Sequence, residues 1–178
     1  RQRIEIRRVR VRRGGAAPEW VDLVIPTPLH FHHAGGATIS REPSVAVPAF
    51  PNATYYVQRE EWEFATHANE RTRASYLPEN FQPLFKEGML RFLQGEEEVL
   101  PGISVLPLPG HTPGLQGVLL RGGGATALFP SDLIPTVAPL PIPYIMGYDV
   151  LPLTTLETKK TVFPRALREG WRVLLVHE

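Results

Sequence analysis

Val21-Asp22-Leu23-Val24-Ile25-Pro26-Thr27-Pro28-Leu29-His30-Phe31-His32-His33-Ala34-Gly35-Gly36 is the stretch that decides the fold. Its first five residues form a short apolar run, ended by two prolines that cannot donate to a sheet ladder, so they predict a buried strand. Three of the chain's six histidines follow directly on that strand. Side chains at a strand end emerge from a rigid base, which is where layered α/β folds place ligands. Neutral imidazole is a common zinc ligand, and His30 and His33 in a tight loop can converge on one small volume. Gly35 and Gly36 offer backbone conformations that other residues resist.

The same placement recurs along the chain. His111 lies in Leu108-Pro109-Gly110-His111-Thr112-Pro113-Gly114, a rigid turn after a strand expected over 103–106. Asp132, one of three aspartates, follows a strand expected over 126–129, and His177 ends an apolar strand expected over 171–176. Further strands are expected at 54–57, 90–93 and 117–120, separated by glycine and proline turns. Helices are expected over 58–67, with Trp62, Phe64 and Ala65 facing a core, over 71–77, and over 154–169 with Gly170 as its stop. Pro164 should kink or end that last helix. His67, at a helix end with no motif around it, reads as a surface or capping residue. Several strands are apolar on both faces, so helices are expected to cover sheets in layers.

The chain has 178 residues, 43% hydrophobic and 21% charged, enough for one globular domain. No apolar run is long enough to span a bilayer. The absence of cysteine excludes a disulfide scaffold, a cysteine nucleophile and a thiolate metal site. The start lacks the apolar segment of a secretion signal, so a cytoplasmic address is expected. Arginine outweighs lysine and proline is abundant, as in heat-adapted or high-GC sources. Residues 1–13 hold seven Arg and one Glu, so the net charge of +1 divides into +6 there and −5 in the rest. Ile4, Ile6, Val9 and Val11 partly alternate with those charges, which suits a solvated edge strand within a basic leading segment, 1–18. A nucleic-acid arm is the alternative, but no aromatic stacking residue is interleaved.

With four motifs in order, the chain from about Glu19 onward resembles the metallo-β-lactamase superfamily. Val21–Gly36 is similar to its signature, T-H-x-H-x-D-H-x-G-G after an apolar strand, and Pro109–Gly114 resembles its second motif. Ser131-Asp132-Leu133 resembles its bridging-aspartate motif, and Val176-His177-Glu178 its last histidine motif. Motif spacing, with Asp132–Thr136 and Leu156–Lys159, resembles the lactonase-like and phosphotriesterase-like branch. The resemblance implies an αββα sandwich, incomplete here at its N- and C-terminal edges, in a single domain over 1–178. Only about 20 residues precede the signature, so the chain is expected to be truncated, redesigned or part of a longer one; exposed sheet edges would favour a homodimer.

The resemblance further implies two metals. His30 and His111 would bind the first, His33 and His177 the second, and Asp132 would bridge them. It implies a metal-dependent hydrolase in which a metal-bound hydroxide attacks a lactone, carboxylic ester or phosphotriester. Zinc is the expected metal, and manganese, iron or cobalt suit the same ligands. Five positions depart from the family pattern, among them Pro164, which should break a helix that is usually continuous there. Pro28 replaces the first histidine ligand, and His32 replaces an aspartate that binds the second metal and orients the hydroxide; Leu115 and Pro139 stand where related sequences often have histidine. Asp132 and His32 are therefore the candidate catalytic residues, with His32 also a substitute ligand. Losing an anionic ligand should weaken at least one metal. The alternative function is a scaffold of this fold with a degraded metal site; a nuclease or nucleic-acid-binding role rests on Arg1 to Arg13 alone.

Overall fold

The computed structural model describes residues 5–7, 17–42, 45–175 and 177. It divides into two compact units, Arg12–Gln94, and Gly95–Glu178 together with Arg1–Val11. Of the basic stretch, only strand β1 (Glu5–Arg7) is described. Ile4, Val9, Val11 and the arginines of that stretch other than Arg7 lie outside the described residues. Among the described residues no helix is long and apolar enough to cross a membrane.

The unit Arg12–Gln94 carries β2 (Leu23–Val24), α1 (Phe31–Ala34), β3 (Thr38–Glu42), β4 (Val45–Pro48), β5 (Thr54–Gln58), α2 (Arg59–Thr66), α3 (Gln82–Lys86) and β6 (Leu90–Leu93). β5 is the centre of a parallel sheet ordered β2-β5-β6, and β3 and β4 form an antiparallel ribbon. Tyr55, Tyr56, Val57 and Gln58 are buried in succession, the continuous run of a parallel strand covered on both faces. One core joins Leu29, Ala34, Val57, Ala65, Tyr76 and Phe81; another joins Ala37, Ala53, Tyr55 and Leu84. Each large apolar side chain buried there contributes about 2 kcal/mol. Trp62 packs against the first of these, edge-on to Phe81 at 5.7 Å, and stacks on Phe85 at 4.9 Å.

Two expectations fail in this unit. The strand expected over 21–25 is only Leu23–Val24, because β2 is an edge strand pairing β5 alone and Pro26 follows at once. The helix expected over 71–77 is a run of turns. Asn69 Oδ1 accepts the amides of Arg71 and Thr72 at 3.0 and 3.2 Å, and the Ser75 carbonyl accepts the Phe31 amide at 2.8 Å. His67 ends α2 as expected, exposed, with Nδ1 2.9 Å from the Glu63 carbonyl oxygen.

The other unit is built on a six-stranded sheet. β7 (Glu97–Leu100), β8 (Ile103–Pro107), β9 (Gln116–Gly122), β10 (Ala125–Phe129) and β11 (Arg172–Leu174) join β1 in the order β1-β11-β10-β9-β8-β7. β1 is thus an edge strand, parallel to β11. Gly123 and Gly124, both at positive φ, make the two-residue turn between β9 and β10, where left-handed backbone matches the twist of the hairpin. Register places Ser104, Leu119, Leu128 and Val173 in one row across the sheet. Leu119, Leu128 and Val173 share a core with Val162, Phe163 and Ala166 of α4 (Pro152–Glu169).

α4 starts two residues before the expected Thr154, with Pro152 in its first turn, where a missing amide costs nothing. It runs on through Pro164 rather than ending there. Pro164 and Lys160 are both exposed, so the carbonyl that loses its donor faces water. Gly170, at φ 66°, closes the helix in the left-handed conformation. Lys159 is fully buried on α4 and donates from Nζ to the carbonyls of Pro139, Pro141 and Tyr144. Burial pushes its ammonium below the usual lysine range, opposed by the Asp149 carboxylate. It ties α4 to the proline-rich strap before Asp149. The last strand is shorter than expected, and Val176 lies outside the described residues.

Candidate metal centre

His111 sits in the turn between β8 and β9, closed by the Leu108 amide donating to the Leu115 carbonyl at 2.8 Å. The N-terminal end of α4 is sewn to this turn. Val150 and Leu151 amides donate to the His111 and Gly110 carbonyls at 3.1 and 2.9 Å, and Thr158 Oγ1 donates to the Pro109 carbonyl at 2.6 Å. Gly110, at φ 148°, makes that approach feasible, since a Cβ there would lie 2.3 Å from Thr155 Oγ1 and 2.6 Å from its Cα.

The buried His111 ring is held between two buried carboxylates. Nε2 lies 3.3 Å from Asp132 Oδ2, and Nδ1 lies 3.1 Å from Asp149 Oδ1. Asp149 Oδ2 in turn accepts from Thr155 Oγ1 at 2.7 Å. Asp132 projects from a tight turn, Ser131–Leu133, straight after β10. Ser131 is the non-glycine residue at positive φ (51°) among the described residues, the kind of local strain that gathers at functional sites. On the other side, His177 Nε2 lies 3.4 Å from Asp132 Oδ1, and the His177 amide donates to the Pro135 carbonyl at 3.1 Å. Tyr148 meets the His111 ring edge-on at 5.5 Å, and partial burial, followed by the Asp132 and Asp149 charges, pushes its hydroxyl above the usual tyrosine range.

This donor set suits a divalent cation. A nitrogen lone pair facing an ionised carboxylate oxygen at 3.3–3.4 Å is repulsive unless a proton or a metal lies with them. A buried carboxylate flanked by two imidazoles is standard zinc, manganese or iron chemistry. The sequence reading brought His111, Asp132 and His177 together, and the structure does so. It missed Asp149, whose one signal was its rarity among the acidic residues.

In the unit Arg12–Gln94, His30, His32 and His33 also gather. His30 is buried, His33 half-buried and His32 exposed. The His32 ring centroid lies 5.7 Å from that of His30 and 4.3 Å from that of His33. The segment is a short helix rather than a loop, with the His33 and Ala34 amides both donating to the His30 carbonyl. The backbone around His30 is fixed on both sides. The Leu29 amide donates to Glu61 Oε1 at 2.9 Å, and the Phe31 amide to the Ser75 carbonyl at 2.8 Å. The same Glu61 oxygen accepts the Tyr76 hydroxyl at 3.0 Å, and the Tyr76 ring packs edge-on to His30 at 4.7 Å. Glu61 is a buried carboxylate that the sequence reading missed, although it shares the inner face of α2 with Ala65. Gly35 and Gly36 do not use the left-handed freedom expected of them: Gly35 is helical at φ −60°, and neither is at positive φ. Pro28 and Leu115 are buried, Leu115 as a core residue.

Residues 2–169 match the family model of the metallo-beta-lactamase superfamily. The chain belongs to that superfamily. Within the superfamily, an N-acyl homoserine lactonase of Bacillus sp is 36% identical over 112 residues, 62% of this chain and 37% of that protein. The chain thus spans well under half the length of that curated relative. A probable metal-dependent hydrolase from Staphylococcus aureus superposes with a TM-score of 0.83 at 26% identity, over 92% of this chain and 57% of that one. An N-acyl homoserine lactone hydrolase, solved with the product N-hexanoyl-L-homoserine at its catalytic metal centre, superposes with a TM-score of 0.73 at 26% identity, over 90% of this chain and 57% of that one. The metallo-β-lactamase fold expected from the four motifs is the fold of these neighbours.

Proposed function

We propose that the chain is a metal-dependent hydrolase of lactones, with N-acyl homoserine lactones as the first substrates to try. The observation that carries this reading is the buried Asp132 carboxylate, with His111 Nε2 and His177 Nε2 at 3.3 and 3.4 Å on its two oxygens. The relatives named above support the substrate class. The proposed ligands are those of the ordered motifs: His30 and His111 for one ion, His33 and His177 for another, and Asp132 for both. His32, which holds the family's aspartate position, is proposed as a substitute ligand and proton acceptor. Zinc is the proposed metal.

A bound divalent metal supplies hydroxide at neutral pH, because coordination lowers the pKa of water from 15.7 to about 7. The protein's part is to hold His111 and Asp132 in a buried setting where their charges and lone pairs are not screened. Half-exposed Tyr148, edge-on to His111, offers a hydroxyl that stays protonated at neutral pH and donates to a substrate oxygen. Pro28 and His32 favour a second reading, a scaffold of this fold whose metal site is impaired.

Acid release from N-hexanoyl homoserine lactone, followed with a pH indicator, separates the two. The hydrolase reading expects turnover by the zinc-loaded chain, lost on chelation and restored by zinc. Absence of turnover in a folded, zinc-loaded chain would leave the scaffold.

A further inference from the structure

We propose that Asp149 is a positioning residue that sets the tautomer and the aim of His111. The proposal rests on the metallo-hydrolase reading for its purpose but stands on geometry of its own. An ionised carboxylate only accepts hydrogen bonds, so the ring nitrogen beside Asp149 has to be the donor. Of the two ring nitrogens, Nδ1 is the one hydrogen-bonded to a carboxylate, Asp149 Oδ1 at 3.1 Å, and so is assigned the proton, which leaves Nε2 on the Asp132 side, where a metal would relieve the lone-pair repulsion. The neutral ring then presents the Nε2 lone pair towards Asp132 Oδ2, 3.3 Å away. A ligating histidine needs this arrangement, and carboxylates that take the other ring proton are a recurring means of securing it.

The support behind Asp149 is built in the same way. Thr155 Oγ1 donates to Asp149 Oδ2 at 2.7 Å from the first turns of α4, so both carboxylate oxygens are engaged and the group cannot swing away. The strap leading to Asp149 is pinned at Pro139, Pro141 and Tyr144 by the buried Lys159. The Asp149 amide donates to the Met146 carbonyl at 3.1 Å, and the next two amides bind the His111 turn itself. Asp149 caps no helix: α4 begins after Leu151, without a side-chain cap. Its polar atoms are spent on His111 and on the hydroxyl that steadies it.

The test is the ring spectrum of His111 in the 178-residue chain, by nitrogen-15 to proton correlation at a pH where the ring carries one proton. Zinc affinity is measured alongside, by competition with a chromogenic chelator. The wild-type ring is expected in the Nδ1–H form. Asp149→Asn, which keeps the shape but weakens the acceptor, is expected to shift it towards a mixture and to weaken zinc binding about 10–100-fold. Thr155→Ser should behave as wild type and Thr155→Val should move both readings part of the way. This pair carries the test if Asp149→Asn does not fold. A ring spectrum unchanged in folded Asp149→Asn, or identical between the Thr155 pair, overturns the proposal whatever the zinc affinity. A shifted ring in a chain that binds no zinc upholds it and sinks the hydrolase reading instead.

Discussion

Asp132→Ala is expected to weaken zinc binding by more than about 100-fold and to abolish lactone hydrolysis. The magnitude follows from the position of the carboxylate. Loss of a residue that merely orients a ligand costs about 10–100-fold in metal affinity, and loss of a ligand itself should cost more. Asp132 has a histidine nitrogen on each oxygen, so its removal takes away the one anion shared by both. The fold should survive. Asp132 lies in a short turn after β10, and Leu133 and Ile134 beside it keep their core packing. Asp132→Asn, nearly identical in shape, serves as the second variant. Zinc competition and thermal melting of the metal-free chain together read the outcome. Wild-type zinc affinity in either folded variant would contradict the role given to this carboxylate.

The second large effect is on stability. Gly110→Ala is expected to destabilise the chain by about 4 kcal/mol or more, lowering the melting temperature by roughly 10 °C. A Cβ at Gly110 would meet Thr155 Oγ1 at 2.3 Å, Cα at 2.6 Å and the amide nitrogen at 2.8 Å. Two of these atoms are helix backbone, so no side-chain rotation relieves them. The backbone at Gly110, φ 148°, is also one that other residues resist. The double variant Gly110→Ala with Thr155→Ala removes only the hydroxyl contact, so it should recover little. The turn carrying His111 would be pushed off α4, and zinc affinity should fall with stability. A melting temperature within about 2 °C of wild type would show that the turn and the helix yield more easily than this packing allows.

How much of this was legible in the sequence differs between the fold and the site. Strands over 54–58, 90–93, 103–107, 116–122 and 125–129 lie within a residue or two of where apolar runs between glycine and proline turns placed them. All but the first are bounded by glycine or proline, which act locally. At 71–77 the chain forms turns instead of the expected helix, and the Ser75 carbonyl there is taken by Phe31, far back in the chain. Pro164 does not end the helix, because on an exposed face the carbonyl that loses its donor meets water.

His111, Asp132 and His177 in one unit, and His30, His32 and His33 in the other, were legible as groups because each follows a strand in the sequence. Glu61 and Asp149 were not. Glu61 acts on Leu29 from 32 residues away, and Asp149 on His111 from 38. Neither lies in a motif, and each does its work through a partner rather than by its own chemistry. Supporting residues of this kind become visible only when hydrogen bonds can be followed.

The most direct test of the account is the zinc content of the folded chain, by elemental analysis after chelation, zinc reloading and desalting. The account predicts at least about one zinc ion per chain, because His111, Asp132 and further motif histidines supply the three ligands that catalytic zinc sites commonly use. A second ion would mean that His32 compensates for the missing carboxylate. A value near zero in a folded chain would contradict the metal centre and the hydrolase reading together.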